Sequence, residues 1–294
     1  MLARLLQAAT ISGLLAASAW LVVWWPSSRA TALMGFGVIV LGYSAFLGTE
    51  FVALRFFNRG DPAPQASRLD LLRAWWGETL IAPRVFCWRQ PFWPNAVPDH
   101  LPANGRRGVV FIHGFVCNRG LWTPWLEQLR TQDRAFLAVS LEPVFGSIDD
   151  YVGAIDDAVR RVAAATGQPP VLICHSMGGL AARAWLRAVG DDGRVHRVIT
   201  IGTPHGGTWL GQFSHVTNGA QMRLQSSWLQ QLRQSEPPGR YALFTCWYSN
   251  CDNIVFPTST ATLPGADNRL VKGAAHVQLA FVAKVMGESL AMAE

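Results

Sequence analysis

The chain has 294 residues, half of them hydrophobic and only 15% charged, with a formal net charge of +6. That length suits one large domain with an appendage, and so apolar a composition excludes an ordinary water-soluble enzyme until a membrane segment has been sought. The arginines are scattered and never form a run of five, so the positive balance is general composition and gives no nucleic-acid footprint.

The first sixty residues carry the apolar excess. Leu5 to Trp25 contains no charged side chain, and neither does Ala30 to Thr49. As helices, stretches of this length reach roughly 30 Å, the thickness of the hydrocarbon core. Pro26-Ser27-Ser28-Arg29 between them suits only a tight turn. Trp20, Trp24 and Trp25 fall at the end of the first stretch, where indole rings favour the headgroup level. A cleaved signal peptide ending near Ala17-Ser18-Ala19 is the competing account, but the apolar run continues past it and a second span follows. The expectation is a membrane anchor over 1–57 made of two transmembrane helices, its second span made imperfect by Glu50. Arg4 precedes the first span, Arg29 lies in the turn, and Arg55, Arg59, Arg68 and Arg73 follow the second. Positive charge stays on the cytoplasmic side, so both termini and the following domain are expected on the cytoplasmic face of a bacterial-type inner membrane. Residues 58–105 read as a proline-marked linker with a short amphipathic helix over Leu69–Leu80.

From residue 106 onward short apolar runs alternate with helical patterns. Strands are expected at Val109–Ile112, Ala135–Leu141, Val171–Ile173, Val195–Ile201, Leu243–Tyr248 and Arg269–Lys272. Helices are expected at Ser147–Ala165, Met177–Val189 and Val277–Leu290. Such alternation implies a mostly parallel, doubly wound α/β sheet whose strand ends share one edge.

Three constellations sit at such ends. Val171-Leu172-Ile173-Cys174-His175-Ser176-Met177-Gly178-Gly179 runs from strand through a sharp turn into helix. That is the pattern of a nucleophile elbow, which lifts a serine hydroxyl above the sheet, although Cys174 stands where the G-x-S-x-G pattern has glycine. His113-Gly114-Phe115 follows the first strand, so the backbone amides of Phe115 and Met177 are the candidate oxyanion donors. His113 sits on the wrong strand for a base and is expected, with Gly114, to fix this loop. The third constellation is the chain order Ser, Asp, His. Serine is a poor nucleophile at its own pKa and needs an imidazole base, which a buried carboxylate orients. His276, after the last strand, is the candidate base, because His100, His175, His196, His205 and His215 lie in weaker positions. Asp252 is the candidate acid, with Asp267 as rival.

Together with Gly202-Thr203-Pro204-His205-Gly206-Gly207-Thr208, these motifs resemble the bacterial triacylglycerol lipase and esterase family of α/β hydrolases. Asn218-Gly219-Ala220-Gln221-Met222, Ser227-Trp228-Leu229 and Asp252-Asn253-Ile254-Val255-Phe256-Pro257 add to the likeness, which covers roughly 108–285. The resemblance implies an α/β-hydrolase fold over 106–294 with a small helical cap at about 208–240. It also implies ester hydrolysis through an acyl-enzyme, with lipids as the usual substrates. Trp209, Leu210, Met222 and Trp228 in the cap are the candidate substrate contacts, with ordinary core packing as the plainer account. Some members of the family bind structural calcium, but no clustered carboxylates assign such a site here. The five cysteines match no zinc framework, so no cofactor or metal is expected. Acyl transfer or thioester cleavage on the same fold is an alternative activity, and a catalytically dead membrane-anchored scaffold a further one. Many members of the resembling family are exported, which opposes the cytoplasmic expectation.

Overall fold

The computed structural model describes all 294 residues. Two long helices come first, α1 (Leu2–Trp24) and α2 (Arg29–Phe57), folded back on each other at Pro26. The Ser28 hydroxyl caps α2 by accepting from the Thr31 amide, which satisfies one orphan donor at the helix start. α2 runs eight residues past the uncharged stretch because its last turns gain tertiary packing: Glu50, Phe51 and Leu54 are buried.

Residues 58–105 are built into the fold more firmly than a linker would be. α3 (Arg68–Pro83) opens on a capping box in which the Ser67 hydroxyl accepts from the Asp70 amide and the Asp70 carboxylate accepts from the Ser67 amide. Past Pro83, which has no N–H to give the ladder, the coil widens into a π-helical turn at Arg84–Arg89 and ends in α4 (Gln90–Phe92). Val85 and Gln90 are fully buried, and the Gln90 side chain accepts from the Asn118 amide while its carbonyl accepts from the Asn118 side chain.

The sheet has six parallel strands, β1 (Val109–Ile112), β2 (Phe136–Ala138), β3 (Val171–His175), β4 (Arg197–Ile201), β5 (Phe244–Ser249) and β6 (Asp267–Val271), in the order β2-β1-β3-β4-β5-β6. Alternate residues point to opposite faces, and both faces are covered. Val110, Ile112, Leu172 and Val198 pack with α6 (Val152–Thr166) and α7 (Met177–Val189). Val109, Phe111, Ile173 and Ile199 pack with α5 (Thr123–Thr131) and the C-terminal helices. α5, held by Trp125 and Leu129 in that second core, has no counterpart among the sequence expectations. The cap region holds α8 (Thr217–Gln221) and α9 (Ser227–Ser235).

The expected helix over Val277–Leu290 is instead two, α10 (His276–Leu279) and α11 (Ala283–Ala291). The physical reason is local: the Trp125 indole N–H donates to the Ala280 carbonyl at 2.9 Å, so that carbonyl is not free to continue the ladder. The chain breaks there, and the short α10 is what carries His276.

Candidate active site

The C-terminal ends of β1, β3, β5 and β6 converge on one edge, each delivering a residue. Ser176 leaves β3 with φ 54° and ψ −128°, a left-handed conformation rare for a side chain larger than glycine. Three bonds hold that strain: the Ser176 amide donates to the Ile201 carbonyl at 2.8 Å, and its own carbonyl accepts from the Thr203 hydroxyl at 2.7 Å and the Gly179 amide at 3.1 Å. Thr203 thus gives the Thr-Pro-His-Gly-Gly segment a mechanical role, bracing the elbow from β4. Gly178 must be glycine, since a Cβ there would lie 2.3 Å from the Ile112 carbonyl oxygen. Cys174, at the departing position of the elbow, is buried in the strand with its thiol pushed up by burial, so its small volume is what matters.

His276 and Asp252 form a buried pair. The His276 Nδ1–H donates to the Asp252 carboxylate, 2.9 Å from each oxygen, while Asp252 also accepts from the Ile254 and Val255 amides at 3.0 and 2.8 Å. Nδ1 therefore carries the proton and Nε2 is left free as the acceptor, the tautomer being set by this network. Burial pulls the imidazole pKa down, but the Asp252 charge and hydrogen bond outweigh it, and the net displacement is upward from 6.5. Asp267 makes no such contact: it starts β6 at the opposite end of the strand, half-exposed and paired with Arg269 at 2.8 Å.

Ser176 and His276 line one cavity of about 270 Å³, with Phe115, Val116 and Ile254 among its walls. They share the cavity without a mutual hydrogen bond, as is common before substrate arrives. A larger groove, about 650 Å³, opens beside Asp61, Gln225 and Thr260 but contains neither Ser176 nor His276. The loop after β1 closes over the serine, since a Cβ on Gly114 would lie 2.7 Å from the Ser176 Cβ. Neither the Phe115 nor the Met177 amide donates to a loop carbonyl or a side chain. His113 is spent on this loop: its Nε2 accepts from the Leu141 amide and its Nδ1–H donates to the Gly114 carbonyl, each at 2.9 Å. Burial drives its pKa down to about 4, so it stays neutral. His175 lies beside His276, with ring centres 4.7 Å apart and planes tilted by 48°, and donates Nε2–H to the His276 carbonyl at 3.2 Å. Burial, reinforced by the neighbouring His276, lowers His175 to about 3.

The four cap residues lie away from this cavity. Trp209 stacks on Phe57 with centres 4.1 Å apart, and Leu210 packs near it. Met222 is buried in the core on the α7 side, where Trp228 also packs and donates its indole N–H to Asp149 at 2.8 Å. The cap is pinned to α7 by a buried two-point ion pair, Arg183 Nε and Nη2 to Glu236 at 2.8 and 2.7 Å.

Three further residues hold the site, and no sequence motif assigns any of them that part. α10 begins at His276, so its first amides need partners from elsewhere. The His276 amide donates to Asn253 Oδ1 at 3.1 Å, and Asn253 Nδ2 donates to Glu50 of α2 at 2.5 Å. The Val277 and Gln278 amides donate to the two oxygens of Glu78 of α3, both at 3.0 Å. Glu78 is fully enclosed, and burial, partly offset by these two bonds, pushes its pKa up to about 7. Glu50 and Glu78 lie some two hundred residues from their partners, and such pairings have no sequence spacing to betray them. Asn253 was visible only as part of the acid loop.

The sequence profile of the alpha/beta hydrolase family matches residues 109–285, more than half of the chain. Among solved structures, the mature form of the Bacillus licheniformis lipase BlEst2 is similar at 18% identity and a TM-score of 0.54, over 65% of this chain and 91% of that one. Its propeptide form is similar at 18% identity and a TM-score of 0.55, over 66% of this chain and 52% of that one. At this identity the likeness is one of fold. No curated protein matches.

Proposed function

The chain belongs to the alpha/beta hydrolase family, and from that premise we propose that it is a membrane-anchored serine hydrolase of carboxylic esters with apolar acyl groups. The observation that carries this reading is the buried Asp252–His276 pair opening onto the same apolar cavity as Ser176. Ser176 Oγ attacks the ester carbonyl carbon as His276 Nε2 takes its proton, and Asp252 steadies the imidazolium. The oxyanion forms against the amides of Phe115 and Met177 and the positive end of α7. Collapse expels the alcohol, which leaves with the proton from His276, and Ser176 remains acylated. Water, deprotonated by His276, then attacks the acyl carbon, and the free acid leaves as the serine recovers its proton.

The anchor reading draws on α1 and α2, which are long and apolar enough to cross a bilayer and largely unburied over their apolar stretches. The amino terminus lies against the hydrolase domain, its ammonium 2.9 Å from Glu142, and Gln7 donates to the Pro91 carbonyl at 2.7 Å. A two-span hairpin would return the chain to its starting side, in keeping with both contacts, and the arginine distribution supports a cytoplasmic face for the domain. Fluorophosphonate labelling of membranes tests the catalytic reading. Label is expected on the wild-type chain and not on Ser176→Ala, and an unlabelled wild-type chain would refute the mechanism.

A further inference from the structure

One wall of the catalytic cavity comes from outside the matched hydrolase region. Leu47 belongs to α2, Ala82 to α3 and Phe86 to the π-helical turn, and all three are half-buried around Ser176 and His276. With the cap packed against α7 instead, the N-terminal segment stands where a lid would.

This wall also reaches membrane depth. α2 has 29 residues, so it is about 43 Å long against a hydrocarbon core of about 30 Å. The uncharged stretch from Ala30 to Thr49 fills the core, and Leu47 lies just inside its end. α3 runs back antiparallel along α2. Gln65 Nε2 donates to the Asn58 carbonyl at 2.5 Å, the Trp75 indole donates to the Ser44 carbonyl at 2.8 Å, and the Tyr43 hydroxyl donates to the Thr79 carbonyl at 2.5 Å. Ser44 and Thr79 also share a hydroxyl bond of 2.9 Å. These pairs satisfy the polar groups that such depth would otherwise leave unpaired. The far end of α3, next to Ala82, therefore stands level with Tyr43, about 9 Å inside Thr49 at a helical rise.

The outward face of α3 fits that placement. Leu69, Leu72, Trp76 and Leu80 recur at helical spacing on one stripe, and each is about half exposed. Phe46 on α2 and Trp88 on the π-helical turn are also more than half exposed. Apolar surface of this kind is out of place in water and at home against acyl chains.

We propose that the catalytic cavity takes its substrate sideways from the bilayer, through the cleft where α2 meets the end of α3, and that this substrate is an acyl ester resident in the membrane. The ester carbonyl reaches Ser176 while the acyl chain lies against Leu47, Ala82 and Phe86. Drawing a chain through water costs about 0.8 kcal/mol for each exposed methylene, whereas a chain passing from lipid to this cleft stays in apolar surroundings. The inference rests on the reading of Ser176 as nucleophile and of α1–α2 as a bilayer hairpin.

The test uses the full chain in phosphatidylcholine vesicles with two esters, a long-chain fluorogenic diacylglycerol in the bilayer and p-nitrophenyl acetate in the water. Leu47→Trp narrows the cleft, and labelling by a short fluorophosphonate reports whether the site is intact. The expected result is a loss of kcat/KM for the bilayer ester about tenfold greater than the loss for p-nitrophenyl acetate, the scale at which an apolar pocket discriminates, with labelling retained. Equal losses on both esters, or none on either, overturn the lateral route. So does a wild-type chain that cleaves p-nitrophenyl acetate at Ser176 and ignores the bilayer ester. A wild-type chain that is neither labelled nor active on either ester overturns the catalytic reading, and the route with it.

Discussion

Replacing Glu78 by glutamine separates what this carboxylate does for catalysis from what it does for stability. The side chain caps α10 one residue beyond the base, with both oxygens engaged by the Val277 and Gln278 amides. Glutamine keeps the shape but offers one acceptor, so one of these amides loses its partner and no negative charge faces the base. The stability sign follows from the pKa. Glu78 is raised from 4.5 to about 7 in the fold, so its stabilising contribution is complete below 4.5 and is lost as pH climbs through 7. By linkage that displacement corresponds to at most about 3 kcal/mol of destabilisation when the group is fully ionised. The neutral variant escapes it. Glu78→Gln is therefore expected to be as stable as wild type in acid and more stable above pH 7. Activity should move the other way, since a shift of the α10 terminus by an ångström costs up to about 10²-fold in kcat. Glu78 shares the surroundings of His276 with Glu50 from α2, Asp252 from the β5 loop and His175 from β3. Burial opposes the imidazolium while the three carboxylates favour it, so losing Glu78 should carry the acid limb of kcat/KM to lower pH. Thermal unfolding across pH and a pH–rate profile on one soluble ester read both effects. An unmoved acid limb with wild-type rate, or no gain in stability above pH 7, would refute the reasoning.

Ser176→Ala should cost on the order of 10⁴-fold or more in kcat, and His276→Ala about as much, since such residues act as one unit; p-nitrophenyl ester hydrolysis checks both. Asp252→Asn should lose activity by orders of magnitude through the wrong imidazole tautomer, whereas Asp267→Asn, at the far end of β6, should keep it; the reverse pattern would transfer the acid role. Glu236→Ala strands a guanidinium in a pair whose side chains are 1% and 2% exposed, and should cost about 3–5 kcal/mol in denaturant unfolding. A fluorescent-protein fusion at the C-terminus should be bright and an alkaline phosphatase fusion inactive, and an active phosphatase would place the domain outside the cytoplasm.

The sequence was legible where chemistry is local. The elbow places a β-branched strand, a small-residue turn and a helix start within nine positions, and the structure reproduces the expected helix Met177–Val189 to the residue. The hairpin was legible from the absence of charge. Tertiary packing was not, as two expectations show. The expected substrate contacts in the cap rested on apolar side chains, and an apolar side chain in a cap fills core as readily as pocket; Met222 and Trp228 pack toward α7 instead. The single C-terminal helix failed because an indole one hundred and fifty-five positions away captures the Ala280 carbonyl, a tertiary event that periodicity cannot register.

Glu50 shows how far a local reading can mislead about purpose. Within an apolar stretch it reads as a flaw in a span, because a charged group at membrane depth is costly. In the fold it lies beyond the uncharged stretch and accepts from Asn253, the same side chain that receives the amide of His276. Asn58 and Asp61 grip the next part of that loop, accepting from the Thr258 and Ser259 amides at 3.0 Å and 3.1 Å. The acid loop is thus held on one side by β5 and on the other by the end of α2, while α3 holds the base from beneath. A hydrolase domain freed of its first 83 residues would keep Ser176, Asp252 and His276 in sequence but lose the partners of four backbone amides, those of Val277 and Gln278 after His276 and those of Thr258 and Ser259 in the loop. The segment that reads as a tether is one flank of the candidate catalytic centre.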